Sequence, residues 1–201
     1  MSEVTLSPSA DSYIEQLNPT TNRGSATSLY VGEDNLSTAL IRLLIKFDLS
    51  SLSGYTVTSA VLKLYEVATA NYSANQRTCR AYRVLRVWTE AGVTWNKYDG
   101  SSDWGTVGCA NTSTDREATD VGTCVFPATE VADAEYSFTL TASAVQAMVD
   151  GSFTNNGFLL QMDTETADQH EVRSKEYATE ALRPVLVVNY TLPVSGFLSI
   201  L

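Results

Sequence analysis

Between Ala39 and Asp48 the side chains alternate with a period of two: Ala39, Ile41, Leu43, Ile45 and Phe47 fall on one face, Arg42, Lys46 and Asp48 on the other. Only an extended chain places every second side chain on the same side, so this run is a β-strand with one buried face. Tyr136 to Thr141 and Gly157 to Asp163 alternate in the same way, and further strands fit 28–31, 60–67, 79–87, 171–174 and 184–190. Turn-forming residues separate them at Asn22-Arg23-Gly24, Gly32-Glu33-Asp34-Asn35, Ser53-Gly54, Asp99-Gly100 and Asn155-Asn156-Gly157. About eight strands punctuated like this predict an all-β fold, a jelly-roll β-sandwich with one short helix. That helix is placed over 142–150, where Val145, Met148 and Val149 recur at helical spacing. Thr141 or Ser143 is available as its cap, Gly151 ends it, and it is expected to plug one end of the sandwich.

A length of 201 residues fits one domain. The expected layout is a single sandwich over 1–190 with a long loop insertion at 96–131, followed by an apolar tail over 191–201. With 44% hydrophobic and 18% charged residues, the chain has the composition of a globular β protein. Its formal net charge of −10 repels polyanions and argues against a nucleic-acid partner. Arg77, Arg80, Arg83 and Arg86, the densest basic run, lie inside a strand-like segment and spread over both faces, as ordinary surface charge and charge pairing would. No apolar run reaches the ~18–20 residues that span a bilayer, so no membrane partner is expected. Met1 to Thr5 carries neither a basic nor an apolar signal region, which predicts synthesis in a cytoplasm and a soluble protein unless a route other than general secretion exports it.

Chemistry has few candidates. His170 is the only histidine and no Gly-x-Ser-x-Gly elbow exists, so a non-enzymatic protein is expected; the flanks of His170 read as a solvated turn. The three cysteines leave two readings open, a Cys109–Cys124 disulfide or free thiols. They give no zinc pattern, and no resident metal or cofactor is expected. Asp163, Glu165 and Asp168 could gather around a structural Ca²⁺, although a solvated acidic turn is the simpler reading.

Trp88-Thr89-Glu90-Ala91-Gly92-Val93-Thr94-Trp95-Asn96 is the most distinctive segment. Trp88, Glu90 and Trp95 are read as a structural corner locking a strand into a loop, with Glu90 accepting hydrogen bonds from backbone or from Arg86; an exposed sugar-stacking face is the other reading. Trp104, with Tyr98 nearby, is the better candidate for an exposed ligand-binding ring. Leu192, Val194, Phe197, Leu198, Ile200 and Leu201 form the apolar tail, which is expected to dock on its own domain or on another chain, as in a homo-oligomer.

Asp11-Ser12-Tyr13-Ile14, Asn22-Arg23-Gly24, Leu44 to Leu52, Val57 to Tyr65, Trp88-Thr89-Glu90, Val93-Thr94-Trp95-Asn96, Asn156 to Leu160, Arg173 to Tyr177 and Arg183 to Tyr190 follow one another in a recurring order. In that order the chain resembles the DNRLRE-type, disaggregatase-related domain family of surface proteins and carbohydrate-binding modules. The resemblance implies a jelly-roll sandwich and a non-catalytic role.

Two functions are compatible with these features. The first is a virion surface component of a tailed bacteriophage, a capsid decoration or fibre-associated subunit made in the host cytoplasm and docked on other virion or surface chains. The alternative is a carbohydrate-binding module of a surface or polysaccharide-degrading system, located outside the cell or on its surface, with a glycan as ligand.

Overall fold

The structure, a computed structural model, describes residues 1–34, 37–67, 75–166 and 168–192. In chain order its elements are β1 (Ser2–Leu6), β2 (Pro8–Glu15), β3 (Ser28–Glu33), β4 (Leu40–Phe47), β5 (Thr56–Tyr65), β6 (Arg77–Arg83), β7 (Gly122–Phe126), β8 (Glu135–Leu140), α1 (Ala142–Val149), β9 (Phe158–Met162), β10 (Gln169–Arg173) and β11 (Val185–Thr191). The strands pair antiparallel in the order β1-β11-β5-β8-β7-β6-β9-β4-β3-β10, with β2 added along β4. Glu66, just beyond β5, bridges to Val172 in β10, so the far end of the sheet returns against the third strand of the path. The result is a curled, sandwich-like all-β fold with one helix, as the alternation predicts.

Inside the curl lies the main core, with Leu43, Ile45, Leu62, Phe138, Phe158 and Leu186 among its fully enclosed side chains. One end is closed by α1, where Val145 and Met148 point inward and the Gln146 Oε1 accepts the Val57 N–H at 2.7 Å. Thr141 stands at the helix start but makes no side-chain cap bond, and Gly151, at φ +78°, ends the element in a conformation suited to glycine.

β4 departs from the one-sided strand expected of it. Leu44 is as fully enclosed as Leu43 and Ile45, and Arg42 is only 6% exposed. The cause is a second apolar cluster on the outer face of the sheet, made by Ala10, Ile14, Leu44 and Leu159 below and by Val84, Trp88, Val93, Trp95, Trp104 and Cys109 above. The long excursion after β6 is therefore the lid of a second core. It ends in a strand, β7, that the weak periodicity of 96–131 conceals.

Two polar devices hold this lid. Arg42 makes a bidentate pair with Glu165, both contacts at 2.8 Å, and donates to the Gly108 carbonyl at 2.7 Å. The fully buried Asp115 carboxylate accepts the N–H groups of Gly105, Thr106 and Asn111 at 2.8, 2.9 and 3.2 Å, which folds residues 105–115 into a closed loop. Arg77, Arg80, Arg83 and Arg86 pair with Asp168, Asp120, Glu117 and Asp115 respectively, in keeping with the charge pairing expected of that run.

Candidate functional site

The segment from Trp88 to Asn96 runs along the rim of the second core. Trp88 is 1% exposed and its Nε1–H donates to the Asn156 carbonyl at 2.7 Å. Trp95 lies beneath the Arg42 guanidinium, 5.3 Å from its ring centroid, and against Gly108. A Cβ on Gly108 would sit 2.6 Å from the Trp95 ring, and φ there is +76°, so glycine is required at that crossing. Trp88 and Trp95 thus serve the fold, as a structural corner does.

Trp104 corrects an expectation. Its glycine-rich surroundings suggest an exposed ring, but it is 5% exposed and its Nε1–H donates to the Thr94 carbonyl at 3.0 Å. The excursion turns back on itself, with the Trp104 N–H donating to the Asn96 carbonyl at 3.1 Å, and this carries the indole under the lid. Tyr98 packs beside it at 5.6 Å between centroids and is half-buried. Among the described residues every aromatic side chain is buried or half-buried.

Just outside these rings lies a groove of about 330 Å³, lined by Thr20, Asn22, Ala91, Gly92, Thr94, Lys97 and Gly100. Its two walls are the turn after β2 and the loop following Trp88. Asn22 joins them, its Nδ2 donating to the carbonyls of Glu90 and Val93 at 2.7 and 2.8 Å. The floor is tight: a Cβ on Gly92 would lie 2.4 Å from the Asp99 carbonyl, so the loop can double back only with glycine there. Lys97 Nζ donates to the Ser101 carbonyl at 2.8 Å and to Asp103 Oδ1 at 2.9 Å. An ammonium has three N–H donors, and these two bonds fix its position with one to spare. The lining is a set of hydroxyl, amide, ammonium and backbone groups without a ring.

Beneath one wall sits Glu90, whose Oε1 accepts the Asp11 N–H at 2.8 Å and faces Lys175 Nζ at 3.2 Å. The expected acceptor role is met by backbone, whereas Arg86 turns to Asp115 instead. Glu90 is thus tied to β2, to the groove through Asn22, and to the turn after β10.

A model of carbohydrate-binding module family 96 matches residues 2–149. The chain belongs to that family. This places it among carbohydrate-binding modules rather than under the disaggregatase-related name that its motif order resembles. The match takes in every residue lining the groove as well as Asp11 and Glu90. No curated protein matches the chain.

Elsewhere in the module Asp163, Glu165 and Asp168 neither make the solvated acidic turn that was the simpler expectation nor converge as the calcium ligands that were the other. Glu165 is taken by Arg42, Asp168 pairs with Arg77 at 2.6 Å and accepts the Asn75 N–H at 2.9 Å, and Asp163 is exposed. His170 is not on a solvated turn. It is fully buried in β10, its Nδ1 3.2 Å from Glu66 Oε2 and its ring edge-on to Phe126, because β10 closes the curl against the end of β5. Glu66, Glu130 and His170 come together there, and Asp11, Glu90 and Glu176 under the groove wall, as the groupings of possible metal ligands among the described residues.

All three thiols are free. Cys109 lies in the second core, far in register from Cys124, which stands opposite Cys79 across β6 and β7. Burial raises all three thiol pKa values, that of Cys124 to about 11. Leu192 is 67% exposed, and Val194, Phe197, Leu198, Ile200 and Leu201 lie outside the described residues.

Proposed function

We propose that this protein is a non-catalytic module that binds a glycan in the groove between the Thr20–Asn22 turn and the Ala91–Gly100 loop. The observation that carries the reading is the coincidence of that groove with the matched family region, on a surface whose exposed side offers hydrogen-bonding groups and no ring. Hydroxyl-rich ligands suit such a lining, since each sugar hydroxyl both donates and accepts, and Thr20, Thr94, Lys97 and the glycine backbone present both kinds of partner. The −10 charge works against acidic polysaccharides, so the preferred ligand is a neutral one. Recognition by hydrogen bonds alone gives modest affinity, because each replaces a bond to water and contributes only about 0.5–1.5 kcal/mol net. The module then works best as an adhesive on a polysaccharide outside the cell or on its surface, where many copies or many sites act together.

Ala91 is exposed at the groove rim, and Ala91→Trp would fill the space without removing a contact. A neutral-glycan array followed by calorimetry should find a ligand whose affinity falls at least tenfold in this variant, at unchanged melting temperature. Equal binding by both proteins would remove the groove as the site.

A further inference from the structure

We propose that Asp11, Glu90 and Glu176 form a calcium site for which the Lys175 ammonium is an internal competitor. The three carboxylates come from β2, from the loop after Trp88 and from the turn after β10, and their ligand oxygens lie within 4.8 Å of one another. Asp11 is 1% exposed, and its Oδ1 is a buried oxygen with no hydrogen-bond partner. Glu176 Oε2 is a second such oxygen. Two buried, unpaired carboxylate oxygens in one cluster are costly unless a cation meets them.

Three acids share two lysines: Lys175 Nζ lies 3.2 Å from Glu90 Oε1 and 2.5 Å from Glu176 Oε1, and the Lys46 ammonium interacts with Glu90 from β4. Burial raises the Asp11 pKa to about 8, with Glu176 and Glu90 adding to the rise and the Lys175 N–H and ammonium opposing it. A divalent ion would take the place of both the Asp11 proton and the Lys175 ammonium.

The ligands are also held in place. Asp11 sits opposite Ile45 in the β2–β4 ladder, its Oδ2 accepts the Lys175 N–H at 2.8 Å, and the Glu176 N–H donates to Ser174 Oγ at 3.1 Å. Gly24 fits closely over Glu90, where a Cβ would fall 2.3 Å from the Glu90 carbonyl. Hard carboxylate oxygens with room for water suit Ca²⁺, which takes six to eight oxygens at about 2.3–2.6 Å. The side chains of Glu90 and Glu176 are 27% and 25% exposed, so water can complete the shell from outside. When the ion enters, the Lys175 side chain, 24% exposed, swings out to solvent.

The inference is independent of the glycan reading, and the test uses no glycan. Protein stripped with a chelator is titrated with CaCl₂ by calorimetry, and its melting temperature is followed with CaCl₂ or MgCl₂. One Ca²⁺ per chain is expected, with a melting temperature that rises with calcium and less with magnesium. Asp11→Asn and Glu176→Gln should each weaken calcium binding at least tenfold, the second lying on a surface turn where misfolding is no concern. Lys175→Gln should tighten it at least threefold, an effect that a purely structural ion cluster would not give. No calcium heat and no thermal shift in the wild type up to 5 × 10⁻³ M, roughly the weak end of extracellular calcium affinities, would overturn the proposal. So would variants that bind calcium as the wild type does.

Discussion

Removing the Trp104 ring tests whether the excursion is a core lid or a binding surface. The indole is 5% exposed. A buried tryptophan removes some 150–250 Å² from water, and at about 25 cal/mol per Å² that corresponds to roughly 4–6 kcal/mol. The lid would close in part over the space left behind, so Trp104→Ala should cost about 3–5 kcal/mol, the usual range for a large aromatic truncated in a core. In a chain of this size each kcal/mol lowers the melting temperature by roughly 2–4 °C, so a drop near 10 °C is expected. Trp104→Phe keeps most of the apolar fill but leaves the Thr94 carbonyl without its 3.0 Å donor, and should cost about 1–2 kcal/mol. Urea unfolding followed by far-ultraviolet circular dichroism measures both without relying on the fluorescence that the substitutions alter. A cost below about 1 kcal/mol for the alanine variant, with an unchanged denaturant slope, would mean that the ring is not buried and that the second core is misassigned.

Breaking the Arg42–Glu165 pair should be severe. Arg42→Gln leaves the Gly108 carbonyl without its donor and the Glu165 charge with only the Gln161 amide, and should cost about 3–5 kcal/mol in urea unfolding, whereas adding Glu165→Gln should recover part of the loss. In chelator, Asp11 should make the wild type progressively less stable as the solution becomes more alkaline. Its carboxyl titrates near 8 when folded against about 4 when unfolded, so the folded state holds the proton more tightly, and the stability this gives below pH 4 is lost as the pH rises through 8. Asp11→Asn should therefore gain on the wild type by a few kcal/mol, in order of magnitude, between pH 4 and pH 8. A difference that stays flat over this interval would contradict the burial argument.

The strand alternation, the helix and the turns were legible because they depend on neighbours in sequence. Ala39 to Asp48 places β4 and its inner face correctly. Its outer face was not legible, since Arg42 and Lys46 read as solvent-facing. Only the fold reveals that Arg42 meets Glu165 across 123 positions and that Lys46 lies over Trp88 at 5.1 Å. β2 was hidden for a related reason: Asp11 and Ser12 are polar yet fully buried, which erases the alternation that marks a strand. β1 and β7 each bury few side chains, with most positions exposed or half-buried, so they lack the apolar face that marks a strand. The groove and the Asp11 cluster combine residues from three distant segments, and Asn22, Glu90 and Glu176 carry no local signal of meeting. Trp104 misled because glycine-rich sequence suggests an open loop, whereas the buried Asp115 closes it.

The pairing of β1 with β11 has a mechanical consequence. Ser2 stands directly opposite Tyr190, so the two ends of the sandwich leave it side by side, separated by about the 5 Å of neighbouring strands. A host protein could therefore carry the sandwich as a pendant spliced into one of its surface loops, with short linkers and little disturbance to its own fold. Tension applied through those linkers would peel β1 from β11 one hydrogen-bonded pair at a time, while the wall from β5 to β10 and the groove beyond it bore no load.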